Sequence, residues 1–322
     1  MKALVLEGIG DDLKIKEVPD LIQEDGHSIV QIETAALNHR DVWITKGKYP
    51  RLQFPLIMGS DGAGYLDNAK VLINPSLNWG DNPAVQAKDY RILGMPDQGT
   101  YAEAVRVPTR LVHPVPEHLS MEEAAALPLA GLTAYRALMV KCKPQAGEKV
   151  LISGIGGGVA LFAFQFALAL ECEVYVTSGS DEKIQQSIAL GAAGGVNYKD
   201  PQFAEKLSAL CGGFDVIIDS AGGAGFTTLL KNCRPGGRIS FYGGTQGNIP
   251  ELNPQFLFWR QISIFGSTMG NDSEFLDMLD FMTTHKIHPI IDSVYPLEDA
   301  NEAFQRMAEG KQFGKIVLKI RK

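Results

Sequence analysis

Up to about residue 115 the chain runs in short apolar segments that alternate with polar positions and are broken by Gly, Pro, Asn and Asp. Ser28-Ile29-Val30-Gln31-Ile32 and Lys70-Val71-Leu72-Ile73 are examples. Alternation with a period of two, bounded by turn residues, predicts half-buried strands, so this stretch reads as an all-β, barrel-like domain. At Ser120 the pattern changes. Ser120-Met121-Glu122-Glu123 places a glutamate three residues after a polar N-cap, the signature of a capping box, and leads into a helical run through Met139 that Pro128 kinks or divides.

From Lys149 onward, continuous apolar strands alternate with helical segments. Strands are predicted at Val150-Leu151-Ile152, Val174-Tyr175-Val176, Val196 and Val216-Ile217-Ile218, with helices over 158–170, 181–190 and 201–210 between them. Strand-helix alternation at this spacing marks a parallel sheet wound with crossover helices. Further strands are expected over 238–242, 262–265 and 315–320, and helices over 273–285 and 297–309. No internal repeat or low-complexity linker interrupts the pattern.

At 322 residues the chain is about twice a common domain size, so two domains are expected. Hydrophobic content of 45%, charged content of 21% and 34 glycines fit a globular α/β protein. The net charge of −7 gives no broad attraction for a polyphosphate, and no Lys/Arg block appears, so nucleic acid is not an expected partner. No membrane span is expected either: the most apolar run, Gly156 to Leu170, is too short and contains Gln165. Glu7 interrupts the N-terminal apolar stretch too early for a secretory leader, which points to a cytoplasmic address. Cys142, Cys172, Cys211 and Cys233 are scattered without metal-ligand spacing and read as small buried or half-buried fillers.

The chemistry concentrates in Ser153-Gly154-Ile155-Gly156-Gly157-Gly158-Val159-Ala160, which follows a strand and opens an apolar helix. That context makes a glycine-rich turn a dinucleotide site: the glycines let a pyrophosphate approach the first helical N–H groups. As G-x-G-x-x-G from Gly154, the third glycine position holds Val159. The end of the second strand selects the cofactor, because a carboxylate there binds a ribose 2′-hydroxyl and repels a 2′-phosphate. Val176 is followed by Thr177-Ser178-Gly179-Ser180-Asp181-Glu182-Lys183, with no acid at the tip. Hydroxyls of Ser178 and Ser180 and the Lys183 cation suit a phosphate, so NADP(H) is expected over NAD(H). The competing reading makes these residues helix caps and a solvated lysine.

These features, with Asn38-His39-Arg40-Asp41, Leu56-Ile57-Met58-Gly59-Ser60-Asp61-Gly62-Ala63-Gly64, Ala130-Gly131-Leu132-Thr133-Ala134-Tyr135 and Gly266-Ser267-Thr268-Met269-Gly270, closely resemble the medium-chain dehydrogenase/reductase family over essentially the whole chain. The resemblance implies an α/β protein in which a Rossmann doubly wound parallel sheet domain is inserted into a GroES-like β-barrel domain. The boundaries expected are 1–125 for the β domain, 126–268 for the nucleotide domain and 269–322 for the return to the first. It also implies a homodimer or tetramer. The family's A-x-x-G-G-V-G register fits Gly157-Gly158-Val159-Ala160, and Tyr198 matches a tyrosine that the quinone-reductase branch sets on the 2′-phosphate.

Departures from the family's zinc enzymes are as informative. The catalytic ligand positions carry Asn38, Ser60 and Ala130, with Asp61 in place of the neighbouring Glu, and none of the three is a good zinc ligand. In the lobe that holds structural zinc, Trp79, Asn82 and Val85 stand where cysteines would be, so no metal is expected at either place.

Alkoxide chemistry at neutral pH leans on a Lewis acid; an electrophilic small molecule such as a quinone or an α,β-unsaturated carbonyl needs only hydrogen-bond donors for its developing charge. Asn38, Tyr49 and Thr133 are the candidate catalytic residues: Asn38 offers an amide donor, and the resemblance implies that Tyr49 is the substrate-facing tyrosine of the quinone-reductase branch and that Thr133 touches the nicotinamide. Asn38 also reads as a loop-stabilising residue, and Tyr49 as a rim aromatic. A second tyrosine of that branch is Trp43 here. His39 is a candidate cofactor contact, and Arg40 with Asp41 a bracing ion pair. The expected cofactor set is completed by Thr133, Ser220, Gly243, Gly266 and Ser267. Phe256, Phe258 and Trp259 read either as pocket wall or as core or subunit contact. Two rival functions remain at this level, an alcohol or aldehyde oxidoreductase and a non-catalytic NADPH-binding sensor.

Overall fold

A computed structural model describes residues 1–321 and divides the chain into two compact units. The first contains Met1–Leu132 together with the segment from Gly270 onward; the second is Thr133–Met269.

The first unit is built on the long strand His27–Ala36, which pairs antiparallel with Asp61–Leu66, Ala104–Pro108 and Lys315–Lys319. Ala69–Ile73, Val112–Pro114 and Ile291–Pro296 extend this to a seven-stranded sheet, and a separate three-stranded sheet joins Lys14–Glu17, Lys2–Leu6 and Leu56–Ile57. Val30 and Ile32 point into its core between less buried neighbours, as the period-two pattern predicts, and Val71, Ile73 and Leu318 join them there; Val71, Leu72 and Ile73 are buried in succession, so that strand does not alternate. Ile291–Pro296 is a strand the sequence pattern does not reveal. It runs parallel to Lys315–Lys319 at the sheet's margin, half-exposed and ending at proline, so it lacks a clean alternation.

In the second unit six parallel strands stand in the order Gly194–Asn197, Glu173–Ser178, Lys149–Ile152, Phe214–Asp219, Cys233–Phe241, Ser263–Gly266. Counted along the chain this is 3-2-1-4-5-6, the doubly wound order that binds ligands outside the carboxyl ends of its strands. Helix Gly158–Ala169 is apolar nearly all round because most of its surface is buried. Two helices escape the pattern, Phe226–Lys231 and Pro254–Arg260, each too short to show a helical period. The second nevertheless carries a start signal: Asn253 Oδ1 accepts from Gln255 N at 2.9 Å, with Pro254 in the first turn. On it Phe256 packs against the sheet's core, while Phe258 and Trp259 are exposed.

The predicted capping box forms: Ser120 Oγ accepts from Glu123 N at 3.2 Å, and Glu123 Oε2 accepts from Ser120 N at 2.8 Å. Pro128 divides the run that follows, leaving helices Met121–Ala126 and Pro128–Tyr135 and a π-helical segment, Arg136–Cys142, which ends at Lys143 in the left-handed region. Among the described residues no helix is long and apolar enough to cross a membrane.

This packing has two measurable consequences. A bulge at Glu33 in the central strand brings the Gln31 carbonyl over Gly64, so a β-carbon there would lie 1.9 Å from that oxygen. Gly64→Ala is expected to lower unfolding free energy by about 1–3 kcal/mol in urea titrations followed by far-UV circular dichroism. Burial pushes the Cys142 and Cys233 thiols up to about 12 and Cys172 up to about 11. Burial raises the Cys211 thiol as well, but its side chain is only half-buried. A chromogenic disulfide reagent at neutral pH should titrate at most one thiol in the native chain, and all four after denaturation.

Candidate active site

The glycine-rich turn is held by its neighbours on the parallel sheet. Ile155 N donates to Thr177 O at 2.8 Å, Ser153 N to Ile218 O at 2.9 Å, and Gly154 N to Thr177 Oγ1 at 3.3 Å. The Ser153 hydroxyl bonds Asp219, whose other oxygen accepts from Gly222 N at 2.7 Å, so the ends of the first and fourth strands are pinned together. Gly154 (φ +67°) and Gly156 (φ +119°) make the reversal in conformations that L side chains rarely adopt. Gly157 is the N-cap of helix Gly158–Ala169, and no side chain caps it, so the first-turn N–H groups are left for a ligand. A β-carbon on Gly157 would meet nothing within 4 Å, whereas one on Gly154 would lie 2.7 Å from Ser220 Oγ and one on Gly243 2.3 Å from Ser220 O. The buried Ser267 Oγ, just after the last strand of the unit, has no hydrogen-bond partner among the described residues. An open glycine cradle, an uncapped twelve-residue helix and an orphaned hydroxyl at the strand ends fit a dinucleotide.

Beyond the second strand the expected residues gather, with their roles redistributed. Ser178 Oγ is buried and turned toward Ile155 O, 3.4 Å away, and Ser180 Oγ caps its helix by accepting from Lys183 N at 3.4 Å. Their hydroxyls thus serve the backbone. Lys183 lies across the turn, since a β-carbon on Gly156 would come 2.8 Å from its side chain and 3.2 Å from Nζ. Over Gly179 stand the Tyr198 hydroxyl and the Lys199 stem, 2.7 and 2.8 Å from where its β-carbon would be. Lys199 escapes sequence reasoning, although it directly follows Tyr198. The loop therefore presents two cations and a phenol, with no carboxylate between strand and helix. Thr133 is buried, with its Oγ1 3.6 Å from Met269 Sδ, and Gly266 precedes Ser267 at the edge strand.

In the first unit three adjacent strand ends converge. Ala36 pairs with both Val317 and Asp61, which brings Asn38, Asp61 and Lys315 together across 277 residues of sequence. Asn38 Nδ2 donates to Asp61 Oδ2 at 2.8 Å, and Lys315 Nζ donates to Asn38 Oδ1 at 2.7 Å and to Asp61 Oδ2 at 3.0 Å. Asp61 Oδ1 accepts from Leu129 N at 2.8 Å. Asp61 is 0% and Lys315 4% exposed at the side chain, so this is a desolvated ion pair. In the sequence Asp61 stands out only as the counterpart of a glutamate. Lys315 does not stand out there; its one signal is a lysine opening an apolar strand directly after Gly314.

Arg40 and Asp41 do not form the expected pair. Arg40 donates to Ser60 Oγ at 2.6 Å and Leu93 O at 3.0 Å, and lies 5.2 Å from the centroid of the Tyr49 ring. Asp41 Oδ2 accepts from Asn38 N at 2.8 Å and Tyr101 Oη at 2.7 Å, and burial raises its pKa against the opposing pull of Arg40. Successive residues at the start of helix His39–Thr45 point in different directions, which separates the two. Tyr49 is half-buried against the core, and the His39 imidazole is 5.8 Å from the Trp43 ring, centroid to centroid.

The residues at both family zinc positions do not suit the metal. An amide, a hydroxyl and a methyl group stand at the catalytic positions, and the ammonium of Lys315 already neutralises Asp61. In the lobe, the buried Trp79 indole donates to Asn82 O at 3.0 Å and meets Tyr90 edge-on at 5.3 Å, so an aromatic pair organises the loop.

Residues 24–117 match the alcohol dehydrogenase GroES-like domain, and residues 158–284 the zinc-binding dehydrogenase domain. The chain is 36% identical to the zinc-type alcohol dehydrogenase-like protein YogA of Leptosphaeria maculans, over 91% of this chain and 90% of that protein. Among solved structures it is similar to an NAD-dependent alcohol dehydrogenase, with a TM-score of 0.91, 35% identity and 99% of both chains covered. It is also similar to the quinone oxidoreductase of Thermus thermophilus, solved with NADPH, with a TM-score of 0.83, 28% identity, and 99% and 100% of the two chains covered. A Rossmann sheet, a GroES-like unit and relatives of this kind over nearly the whole length lead to one conclusion: the chain is an oxidoreductase of the medium-chain dehydrogenase/reductase family, whose members bind a nicotinamide cofactor.

Proposed function

We propose that the protein uses NADPH to reduce a small electrophilic acceptor, a quinone or an α,β-unsaturated carbonyl, without zinc. The observation that carries the reading is in the first unit, where the Asn38 amide stands at one of the positions that hold zinc in the family's metal enzymes and accepts from the buried ammonium of Lys315. Bound NADPH supplies the hydride. The backbone from Gly154 to Val159 holds the pyrophosphate, and Ser220, Gly243, Gly266 and Ser267 line the strand ends. Lys183, Lys199 and Tyr198, on a loop shaped by Ser178 and Ser180, receive the 2′-phosphate. Thr133 faces the nicotinamide, and Tyr49 the acceptor. As hydride reaches the acceptor carbon, electron density moves to its oxygen, where the Asn38 amide donates a hydrogen bond and solvent delivers the proton. The NADPH complex of the Thermus quinone oxidoreductase supports this reading.

Alcohol oxidation is the second reading, favoured by the names of the more similar relatives. Steady-state assays with NADPH and NADH against benzoquinone, naphthoquinone and small enones, with alcohol turnover and zinc content measured in parallel, separate the two. NADPH is expected to be preferred, and Lys183→Ala with Lys199→Ala to reduce kcat/KM for NADPH by roughly tenfold or more while sparing NADH. A preference for NADH would overturn the loop reading. Alcohol turnover with stoichiometric zinc would overturn the acceptor.

A further inference from the structure

Lys315 has no part in the reaction as written, yet it is the buried cation of the donor set. An ammonium only donates and a carboxylate only accepts, so the two flanks of Asn38 impose the same orientation on its amide. The oxygen must face Lys315 and the nitrogen must face Asp61, as the 2.7 and 2.8 Å contacts have it. The bond to Asp61 is the one that the Asn38 amide nitrogen makes among the described residues, and it uses one of the two amide hydrogens. A positive charge on the amide oxygen also draws density from the nitrogen and strengthens that second hydrogen as a donor. A purely structural clasp of three strand ends would need none of this, because apolar side chains of similar volume do that work without desolvating an ion pair.

We propose that Lys315 is a positioning residue for the reduction: it orients and polarises the Asn38 amide that stabilises charge on the acceptor oxygen. The inference rests on the reading of Asn38 as that donor. Its action is through Asn38, so the loss on removing it should depend on how localised the acceptor's charge is. An enone, which concentrates charge on one oxygen, should depend on it more than a quinone, which spreads charge over a ring.

The test compares wild type with Lys315→Met, with the charge-neutral pair Lys315→Met/Asp61→Asn, which avoids stranding a buried carboxylate, and with each combined with Asn38→Ala. Thermal melts report folding, and fluorescence titration reports NADPH binding. The neutral pair is expected to melt near wild type, bind NADPH normally and lose roughly 10- to 100-fold in kcat with a small enone. Its KM should change little, its loss with benzoquinone should be smaller, and adding Asn38→Ala should cost little more. The Asn38 side-chain resonance in 15N spectra, identified by its disappearance in Asn38→Ala, should move upfield in the neutral pair. Wild-type kcat in a folded variant, equal losses with both acceptors, or losses additive with Asn38→Ala would overturn the proposal. An unmoved resonance would overturn it without reference to turnover. If wild type reduces neither acceptor, the reading of Asn38 as acceptor donor fails, and the resonance alone then decides whether Lys315 orients the amide.

Discussion

The pairing of Val317 with Ala36 is the contact on which the first unit depends. It returns the end of the chain to the central strand, and in doing so turns everything from Thr133 to Met269 into an insertion. Closing so long a loop is less costly than its length suggests, because closure entropy grows with the logarithm of length, about 0.6 kcal/mol per doubling. The apolar contacts of Ile316 and Leu318 with Ile32, Leu37 and their neighbours, together with the ladder hydrogen bonds, oppose that cost. Strand register then does what local sequence cannot: Asp61 lies opposite Ala36 on one side, Lys315 arrives on the other, and Asn38 sits just beyond the strand end.

Electrostatics in the two units follow opposite designs. In the nucleotide-binding unit the side chains of Lys183 and Lys199 lie along Gly156 and Gly179, beside the glycine-rich turn and the end of the second strand. At the Asn38 cluster of the other unit the charge is buried and self-neutralised, with Asp61 taking hydrogen bonds from Leu129, Asn38 and Lys315 until both of its oxygens are satisfied. The first arrangement suits recognition of a mobile ligand. The second suits a fixed polar environment that does not have to reorganise when charge appears beside it.

Much of the second unit was legible because its signals are local. The apolar strands, the helices between them and the glycines at Gly154 and Gly156 each announce themselves within a dozen residues, and the strand order then follows from the winding rule. The capping box at Ser120 was readable for the same reason, as was the family from motifs spread along the chain. What could not be read depends on distance or on short lengths. Lys315 looks like an ordinary strand-opening lysine until a ladder brings it to Asn38, and Ser178 looks like a ligand donor until Ile155 O takes its hydroxyl. The helix Phe226–Lys231 spans fewer than two turns, too few for a period to be seen. Arg40 and Asp41, adjacent in sequence and opposite in charge, invited a pairing that helical geometry disallows.

The contact between Thr133 and Met269 has a consequence for how such a chain can be cut and rejoined. These residues open and close the inserted unit, and their side chains lie 3.6 Å apart. Seen from the remainder of the chain, the whole nucleotide-binding unit therefore occupies the place of a tight turn. A bridge of a few residues spans the same gap, and new termini can be opened elsewhere in the unit without stretching the junction. Modularity of this kind lets a nucleotide-binding unit be exchanged as a cassette while the ladder through Ala36 and Val317 stays intact.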